Sequence, residues 1–454
     1  MSQMLLLPPD LRQWLRDDHL ALYVSDVVEA LDLSGILKVY EEGDGRGRPP
    51  YHPVLMVKLL VYGYCIGKMS SRKMEHATYD DVAFRVLACN QHPDHDSIAE
   101  FRKRHLAELA KLFLQVLELC RRAGLVKLGH VAIDGTKIKA NASKWQTMSY
   151  ERLSDAEQEL AAEVERLLAE AQRIDDEEDE LYGRGKRGDE LPAELRQRES
   201  RLARIRELKA DMEREAREAA EQKAAAAEQR NREHAQKEQE SGKKFRGRLA
   251  QVIDPSEVVP AAKTKRNFTD PDSRIMKDHG TKTFQQAYNI QIGVDSQAQI
   301  IVAAKVVQAG VDQEQLVPML REVEKNLLQM PAQASADAGY YSKAAITHEA
   351  VRAVDLHVPP NQRKPLDWGA EVALPENATF QDRMWHKLAS KAGREVYGKR
   401  KVIVEPVFAQ LKHVRGFRQF LLRGLVQVEA EWLLVCMTHN LMKMFRASRR
   451  LQIA

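Results

Sequence analysis

Short apolar runs and alternating segments recur along the chain, and their order predicts a mixed α/β fold. Residues 131–133 form an apolar run that predicts a buried strand ending at Asp134, with Gly135 as the turn after it. Residues 286–307 alternate and then turn, which predicts a β-hairpin. A further short strand leads into Asp337, again followed by glycine. Two predicted strands therefore end on a carboxylate.

A seven-residue repeat of apolar residues marks the middle of the chain and is typical of a coiled-coil seam. A glycine-rich stretch at 183–188 interrupts it, and a second helical segment follows, so the pattern predicts an antiparallel helical hairpin. Ser154 and Glu157 have the spacing of a helix capping box. Residues 221–244 are too polar to pack, which predicts a solvated helix or disorder. The repeat is carried by Leu153, Leu160, Leu167, Ile174 and Leu181.

Without the helical hairpin, the predicted elements from residue 131 onward follow one another as strand, strand, strand, helix, strand, helix, strand, helix. It is the ribonuclease-H-like topology, a mixed five-stranded sheet with flanking helices, in which the first and fourth strands are neighbours. Asp134 and Asp337 would then lie side by side, and a late helix would bring Glu405 over them. Pro406 costs about 3 kcal/mol within a helix, so this helix either begins near Glu405 or is kinked.

Four domains are expected from these patterns. They are an all-α N-terminal domain at 1–125, a discontinuous catalytic domain at 126–148 and 265–425, a helical hairpin insertion at 149–245, and a C-terminal helix at 426–454 that closes the core.

Charge is unevenly distributed along the 454 residues. Residues 151–240 contain 27 acidic and 18 basic residues, a net of −9, whereas the rest carries 52 Lys and Arg against 39 Asp and Glu, a net of +13. A basic body with an acidic appendage is typical of a polyanion-binding protein. No signal-peptide pattern and no run of about twenty apolar residues is present, which predicts a cytoplasmic protein.

Four widely spaced cysteines predict buried thiols rather than a zinc site or a disulfide scaffold. A zinc site needs closer ligand clusters, and a secreted disulfide scaffold needs a denser set. The four are Cys65, Cys89, Cys120 and Cys436.

The N-terminal helices end in a basic one. Ser97 and Glu100 have capping-box spacing and would start a helix that carries Arg102 and Arg104. Short helices ending in a basic helix predict a DNA reader of the helix-turn-helix kind. The alternative is a plain helical bundle whose basic residues are solvated.

Three carboxylates around one cavity repel one another and stay ionised only when cations lie between them. Oxygen ligands favour two Mg²⁺ or Mn²⁺ ions, about 3.5–4 Å apart, at one site. Such a pair activates a water or a 3′-hydroxyl and stabilises the leaving oxygen of a phosphoryl transfer. The alternative for Asp134 is that it only caps the turn after a strand.

Several motifs in fixed order carry a family resemblance. They are Asp-Gly-Thr-Lys at 134–137, Asn-Phe-Thr-Asp-Pro at 267–271, Ala-Asp-Ala-Gly-Tyr at 336–340, Val-Glu-Pro-Val-Phe at 404–408 and Thr-His-Asn at 438–440. With them the chain resembles bacterial insertion-sequence transposases of the DDE class, in particular the group around insertion sequence eleven-eighty-two. The resemblance extends over nearly the whole chain.

The resemblance implies a catalytic, metal-binding triad of Asp134, Asp337 and Glu405. It implies a transposase, associated with the bacterial nucleoid, that binds terminal inverted repeats, hydrolyses phosphodiesters there and joins the freed 3′-hydroxyls to target DNA. At least a homodimer on DNA is expected, with no membrane and no small-molecule substrate. The alternatives are a nuclease of the same fold without strand transfer, and a catalytically silent DNA-binding protein.

The resemblance also implies a Tyr, Arg, Glu, Lys signature around the last acid. Tyr397, Arg400, Glu405 and Lys412 stand in that order, although Lys401 occupies the slot expected for the arginine. Basic residues beside the acids and late in the chain would contact DNA phosphates without reading sequence. The predicted DNA contacts are Lys137, Lys139, Arg400, Lys401, Lys412, Arg415, Arg418, Arg102 and Arg104.

Overall fold

The computed structural model describes residues 10–41, 50–182, 193–241, 248–278, 282–360, 374 and 377–453. The chain divides into two compact units. Residues 1–141 and 273–454 form the core unit, and residues 142–272 form the insert unit.

The described residues form eight strands, of which six make one mixed sheet in the core unit. The eight are β1 (His130–Lys139), β2 (Thr147–Ser149), β3 (Lys265–Asn267), β4 (Arg274–Lys277), β5 (Phe284–Asp295), β6 (Ile301–Val307), β7 (Gln333–Ser335) and β8 (Asp355–His357). Strand β1 pairs antiparallel with β5, and β5 pairs antiparallel with both β4 and β6. On the other side β7 runs parallel to β1, and β8 runs parallel to β7.

Fourteen α-helices lie within the described residues. They are α1 (Leu20–Ala30), α2 (Ser34–Glu41), α3 (Pro53–Ile66), α4 (Ser71–Asp80), α5 (Val82–Leu87), α6 (His95–Arg104), α7 (Leu106–Arg122), α8 (Tyr150–Tyr182), α9 (Ala193–Ser241), α10 (Leu316–Leu327), α11 (Lys343–Ile346), α12 (Phe380–Ala389), α13 (Lys391–Ala409) and α14 (Leu425–Ile453).

Helix α14 joins the N-terminal helices to the sheet within the core unit. It packs against α3 and α7 on one side and against β6 on the other. Its buried side chains include Trp432, which is fully inaccessible to solvent. Asn440 accepts from the backbone N–H of Ile301 and donates to the carbonyl of the same residue, both at 2.8 Å. These two bonds fix α14 to β6, so the His439-Asn440 pair belongs to the core.

Several element boundaries differ from the sequence predictions. Strand β1 does not end at Asp134 but continues to Lys139, because β5 pairs with it over that whole length. Helix α6 is capped by Asp94, which accepts from the N–H of Ser97, so Ser97 is not the cap. Residues 343–354 form α11 and a separate 3-10 turn rather than one helix.

Pro406 lies inside a continuous helix. Helix α13 runs through it to Ala409 and passes into a π-helical turn at Gln410–Val414. The helix therefore does not begin near Glu405. Cys89 is exposed, whereas Cys65, Cys120 and Cys436 are buried as predicted.

In the insert unit, α8 and α9 pack antiparallel. Leu153 is fully buried against Ile205, Leu208 and Met212. Ion pairs cross the interface between Glu163 and Arg198 and between Glu157 and Arg206, each at 3.1 Å. Helix α8 begins at Tyr150, four residues before the predicted cap at Ser154. The predicted glycine-rich turn at 183–188 lies outside the described residues.

Among the described helices, none by itself is both long enough and apolar enough for a membrane span. Helices α3 and α4, bent by 99° at their junction, meet the length and composition criteria only as a pair.

Candidate active site

Two acidic residues meet where neighbouring parallel strands separate. Strands β1 and β7 pair only from His130 to Ala132 on β1, and the last pair is Ala132 with Ser335. Asp134 and Asp337 each lie two residues beyond that last pair. The shared register brings Asp134 and Asp337 to the same end of β7, close enough for the charge of Asp337 to raise the pKa of Asp134.

Asp134 is held from both sides. Its Oδ1 accepts from the N–H of Gly135 at 2.8 Å, and its Oδ2 accepts from the Arg400 guanidinium at 3.1 Å. The side chain is only 18% exposed. Burial raises the pKa of Asp134 to about 6; Arg400 opposes that rise, and the charge of Asp337 adds to it. Burial therefore makes ionisation of this carboxylate less favourable than it is in water.

Asp337 is half-buried and caps a short 3-10 turn. Its Oδ1 accepts from the N–H of Gly339 at 2.8 Å, at the start of the turn Ala338–Tyr340. The glycine turn predicted after this strand is present. It orients one oxygen toward the backbone.

Gly135 makes room for a buried side-chain cluster. A Cβ atom there would lie 2.4 Å from Nε2 of Gln291 and 3.0 Å from the hydroxyl oxygen of Tyr340. The residue is therefore glycine because of close approach, not because of the turn predicted from the sequence. The Tyr340 hydroxyl donates to Oε1 of Gln291, so the tyrosine of the Ala-Asp-Ala-Gly-Tyr motif packs under the two acids.

A polar network missed in the sequence continues from this cluster. Asp312 Oδ1 accepts from the amides of Asn289 and Gln291, each at 2.7 Å, and lies 3.6 Å from Nζ of Lys137. Asn289 and Gln291 are fully buried. Their signal in the sequence was the alternation of Asn289 and Gln291 with the apolar residues Tyr288, Ile290 and Ile292. Asp312 had no such signal, because it precedes a helix where acids are common.

Arg400 reaches the acids from α13. Its guanidinium is 5.9 Å from the ring of Tyr397, one turn earlier on the same helix. Only 10% of the Arg400 side chain is exposed. Of the two neighbouring basic residues, Arg400 contacts Asp134, whereas Lys401 is exposed. In this conformation Arg400 binds a carboxylate, not a phosphate.

Glu405 stands apart from the two aspartates. It is an exposed residue of α13, between the fully buried Val404 and Val407. Over the described part of the chain, no three His, Cys, Asp or Glu side chains are grouped so as to hold a metal ion. The structure therefore brings Asp134 and Asp337 together but does not bring Glu405 into a ready three-acid cluster.

Basic residues line the far end of β1. Lys412, in the π-helical turn, donates to the Thr136 hydroxyl and, at 3.3 Å, to the Lys137 carbonyl. Burial lowers the pKa of both Lys137 and Lys412. Lys139 is exposed, and its N–H donates to the carbonyl of Arg418 at 3.3 Å. Arg418 is also exposed, so this edge presents cations to solvent.

Two predicted DNA contacts are corrected by burial. The Arg102 guanidinium, 7% exposed, donates to the Met69 carbonyl at 3.1 Å. Arg415, 8% exposed, donates to the Thr438 hydroxyl at 2.7 Å. Both are committed to protein acceptors, so neither is available to a phosphate. Arg104, two residues after Arg102, remains exposed.

Two family models match the chain. Residues 9–104 match the one described as "Transposase domain (DUF772)", and residues 368–445 match the one described as "Transposase DDE domain". The first match spans α1 to α6, and the second contains α12, α13 and Glu405. Neither the curated proteins nor the solved structures gave a match. The two domain matches support a DDE-type transposase.

Proposed function

We propose that this protein is a DNA transposase that binds the terminal inverted repeats of its element. It hydrolyses phosphodiesters there and transfers the freed 3′-hydroxyls to target DNA, acting in the cytoplasm on nucleoid DNA. The group around insertion sequence eleven-eighty-two is the proposed relative. Because both ends must be held together, at least two protomers act on the DNA.

The observation that carries the proposal is the paired position of Asp134 and Asp337. The acids follow neighbouring parallel strands, and the Asp134 pKa is raised to about 6 chiefly by burial. Perturbed carboxylates at a strand terminus are typical of catalytic sites. The second family match includes helix α13, from which Arg400 forms an ion pair with Asp134.

A ribonuclease-H-like core is part of the proposal, and the sheet order supports it. Strands β6, β5 and β1 are antiparallel neighbours, followed by the parallel β7 and β8. Among these five strands, the first and the fourth in chain order, β1 and β7, are neighbours, which is the pairing expected from the sequence. Strand β4 adds an edge segment beside β5. The proposed domain boundaries and the coiled-coil character of α8 and α9 complete the architecture.

Divalent Mg²⁺ or Mn²⁺ fits the donor set of the two aspartates. Both side chains supply oxygen ligands, and a bound cation would offset the effect of burial, which raises the pKa of Asp134. We propose Glu405 as the third ligand. It lies on the same helix as Arg400, within the segment that matches the transposase DDE domain. Bound ions would activate the attacking oxygen and stabilise the leaving one.

The chain's own residues then have separate roles. Asp134 and Asp337 would hold the ions, and the turn after Asp337 fixes the direction of one of its oxygens. Lys412, anchored on Thr136, sits beside the acids and neutralises a phosphate next to the scissile bond. Lys139, Arg104, Lys401 and Arg418 are the exposed cations proposed to contact the DNA backbone. Such contacts position DNA without reading its sequence.

The test is cleavage of a DNA fragment that carries the flanks of the coding region. Asp134→Asn, Asp337→Asn and Glu405→Gln are expected to retain DNA binding and to lose Mg²⁺-dependent cleavage and strand transfer. Glu395→Gln is the matched control for Glu405→Gln, because both acids are exposed on α13. Cleavage at the wild-type rate in any variant removes that residue from the proposed triad.

Pre-cleaved ends distinguish transposition from simple hydrolysis. The wild-type protein should join such ends to a target plasmid in the presence of Mg²⁺. Cleavage without joining would instead assign a nuclease of the same fold.

A further inference from the structure

A cavity of about 880 Å³ lies in the insert unit between β2 and the first half of α9. Its apolar side is formed by Met148 and Phe268, and its other side is the surface of α9. That surface contributes three arginines and one acid, so the cavity is basic with an apolar wall. The charged lining residues are Arg196, Arg201, Arg204 and Glu207.

An exposed tryptophan precedes the cavity in the chain. Trp145 is 83% exposed, and it directly precedes Gln146, which lines the cavity. The Nζ atom of Lys144 lies 4.9 Å from the centre of its ring. A large aromatic ring left in water forgoes the free energy of burial, while a cation beside it favours an anionic ligand.

The turn that carries Trp145 is fixed by a buried asparagine. The Trp145 N–H donates to the Ser143 hydroxyl at 3.3 Å. Asn267, fully buried, donates to the Ser143 carbonyl at 2.7 Å and to the Thr147 hydroxyl at 3.3 Å. The Phe268 N–H donates to the Gln146 carbonyl at 2.7 Å. The Asn-Phe-Thr-Asp motif thus fixes the backbone of the turn on which Trp145 is exposed.

We propose that this tryptophan and the adjoining basic cavity bind an unpaired base of DNA. The base stacks on the Trp145 ring, and a flanking phosphate lies against Arg201, whereas Arg204 is ion-paired with Glu207 at 2.5 Å. Aromatic rings beside a basic groove are how proteins bind unstacked nucleotides. A paired base inside a duplex hides its faces, so the ring selects an unpaired one. The inference rests on the proposed function only in taking DNA as the ligand.

The first experiment measures binding of the full chain to two probes by fluorescence anisotropy. One probe is a blunt duplex oligonucleotide, and the other is the same duplex with one unpaired thymine. Trp145→Ala should weaken binding of the second probe by about 5-fold to 150-fold, the range expected for one stacked base. The blunt duplex should bind as before, and Trp145→Phe should retain most of the affinity. Because Trp145 is exposed, neither change should alter the thermal transition.

The second experiment tests the basic wall with a matched pair on α9. Arg201→Ala should weaken binding of the duplex with one unpaired thymine (the bulged probe). It should also reduce the slope of log K against log salt concentration by about one. Arg217→Ala is the control, since it removes an exposed arginine of the same helix that does not line the cavity. Equal effects of the two substitutions would overturn the assignment of this wall.

Outcomes for the two proposals are distinguishable. If the wild-type protein binds both probes but Trp145→Ala binds the bulged one equally well, the base site is wrong and transposition stands. An equal loss on both probes also overturns the base site. If the wild-type protein binds neither probe, the proposed function fails together with this inference.

Discussion

Replacing Asp134 with asparagine should stabilise the ion-free protein at neutral and alkaline pH. The carboxylate is ionised there although burial disfavours its charge. Asparagine keeps the shape and one oxygen, which can accept from Arg400; loss of the second acceptor, toward Gly135, offsets about 1 kcal/mol of the gain. The favourable effect of Arg400 is already included in the raised pKa. A stabilising substitution at a residue required for activity is a signature of a functional site.

The magnitude follows from linkage. The pKa of Asp134 is raised from 3.8 to about 6 on folding, and each tenfold difference is worth about 1.4 kcal/mol. Below the pKa of the unfolded state, Asp134 is protonated in both states and does not lower the free energy of unfolding. As pH rises through the folded pKa, the cost grows to about 3 kcal/mol and then stays constant. At pH 5 it is about half of that.

The assay is unfolding in urea, monitored by tryptophan fluorescence, in the absence of divalent ions and at both pH 5 and pH 8. The buried Trp432 reports on the core unit that contains Asp134. After the offset of about 1 kcal/mol, Asp134→Asn should gain about 2 kcal/mol at pH 8 and less at pH 5. Mg²⁺ should stabilise the wild-type protein more than the variant, because it binds the native carboxylate. Asp96→Asn, whose side chain is 91% exposed, is the control.

Two results would refute this reasoning. A loss of stability at pH 8 would mean that the ion pair with Arg400 outweighs burial of the charge. An equal gain at pH 5 and pH 8 would mean that the change acts through packing rather than through ionisation of Asp134.

Three further substitutions test other parts of the structure. Gly135→Ala should destabilise the core unit by about 1–3 kcal/mol by overpacking and should abolish cleavage. Gly398→Ala should have neither effect, because a Cβ atom at that position would have nothing within 4 Å. Equal urea midpoints for the two variants would contradict the close approach at Gly135. Lys412→Met should weaken DNA binding and lower the salt slope by about one; an unchanged slope in anisotropy titrations excludes a phosphate contact. Leu153→Ala should cost the insert unit about 2–5 kcal/mol, seen as an earlier loss of helical circular dichroism; an unchanged transition would show that the α8–α9 core does not depend on it.

Strand positions were predictable because apolar periodicity reflects burial. The predicted hairpin at 286–307 corresponds to β5 and β6, and the strand before Asp337 corresponds to β7. The end of β1 was not predictable from Gly135. Glycine signals either a turn or a close approach, and only the packing of Gln291 and Tyr340 against it distinguishes the two.

Charge in the sequence does not show where a side chain points. Arg102 and Arg415 belong to basic stretches, yet each is buried among acceptors that come from distant parts of the chain. A buried arginine needs several such acceptors, and those are assembled only by the fold. Asp312 was missed for the same reason, since its partners lie on β5 rather than beside it.

The contacts of Asp134 also bear on how the site would accommodate the proposed ions. One of its oxygens is bound by the Gly135 N–H and the other by Arg400, so the guanidinium lies where a cation would otherwise balance the acids. A divalent ion supplies twice the charge of arginine, and like charges repel at such short range. If the proposed ions bind at Asp134, they would favour withdrawal of Arg400 from it. A guanidinium released beside the acids is free to meet a phosphate, which reconciles its predicted role on DNA with its position on a carboxylate.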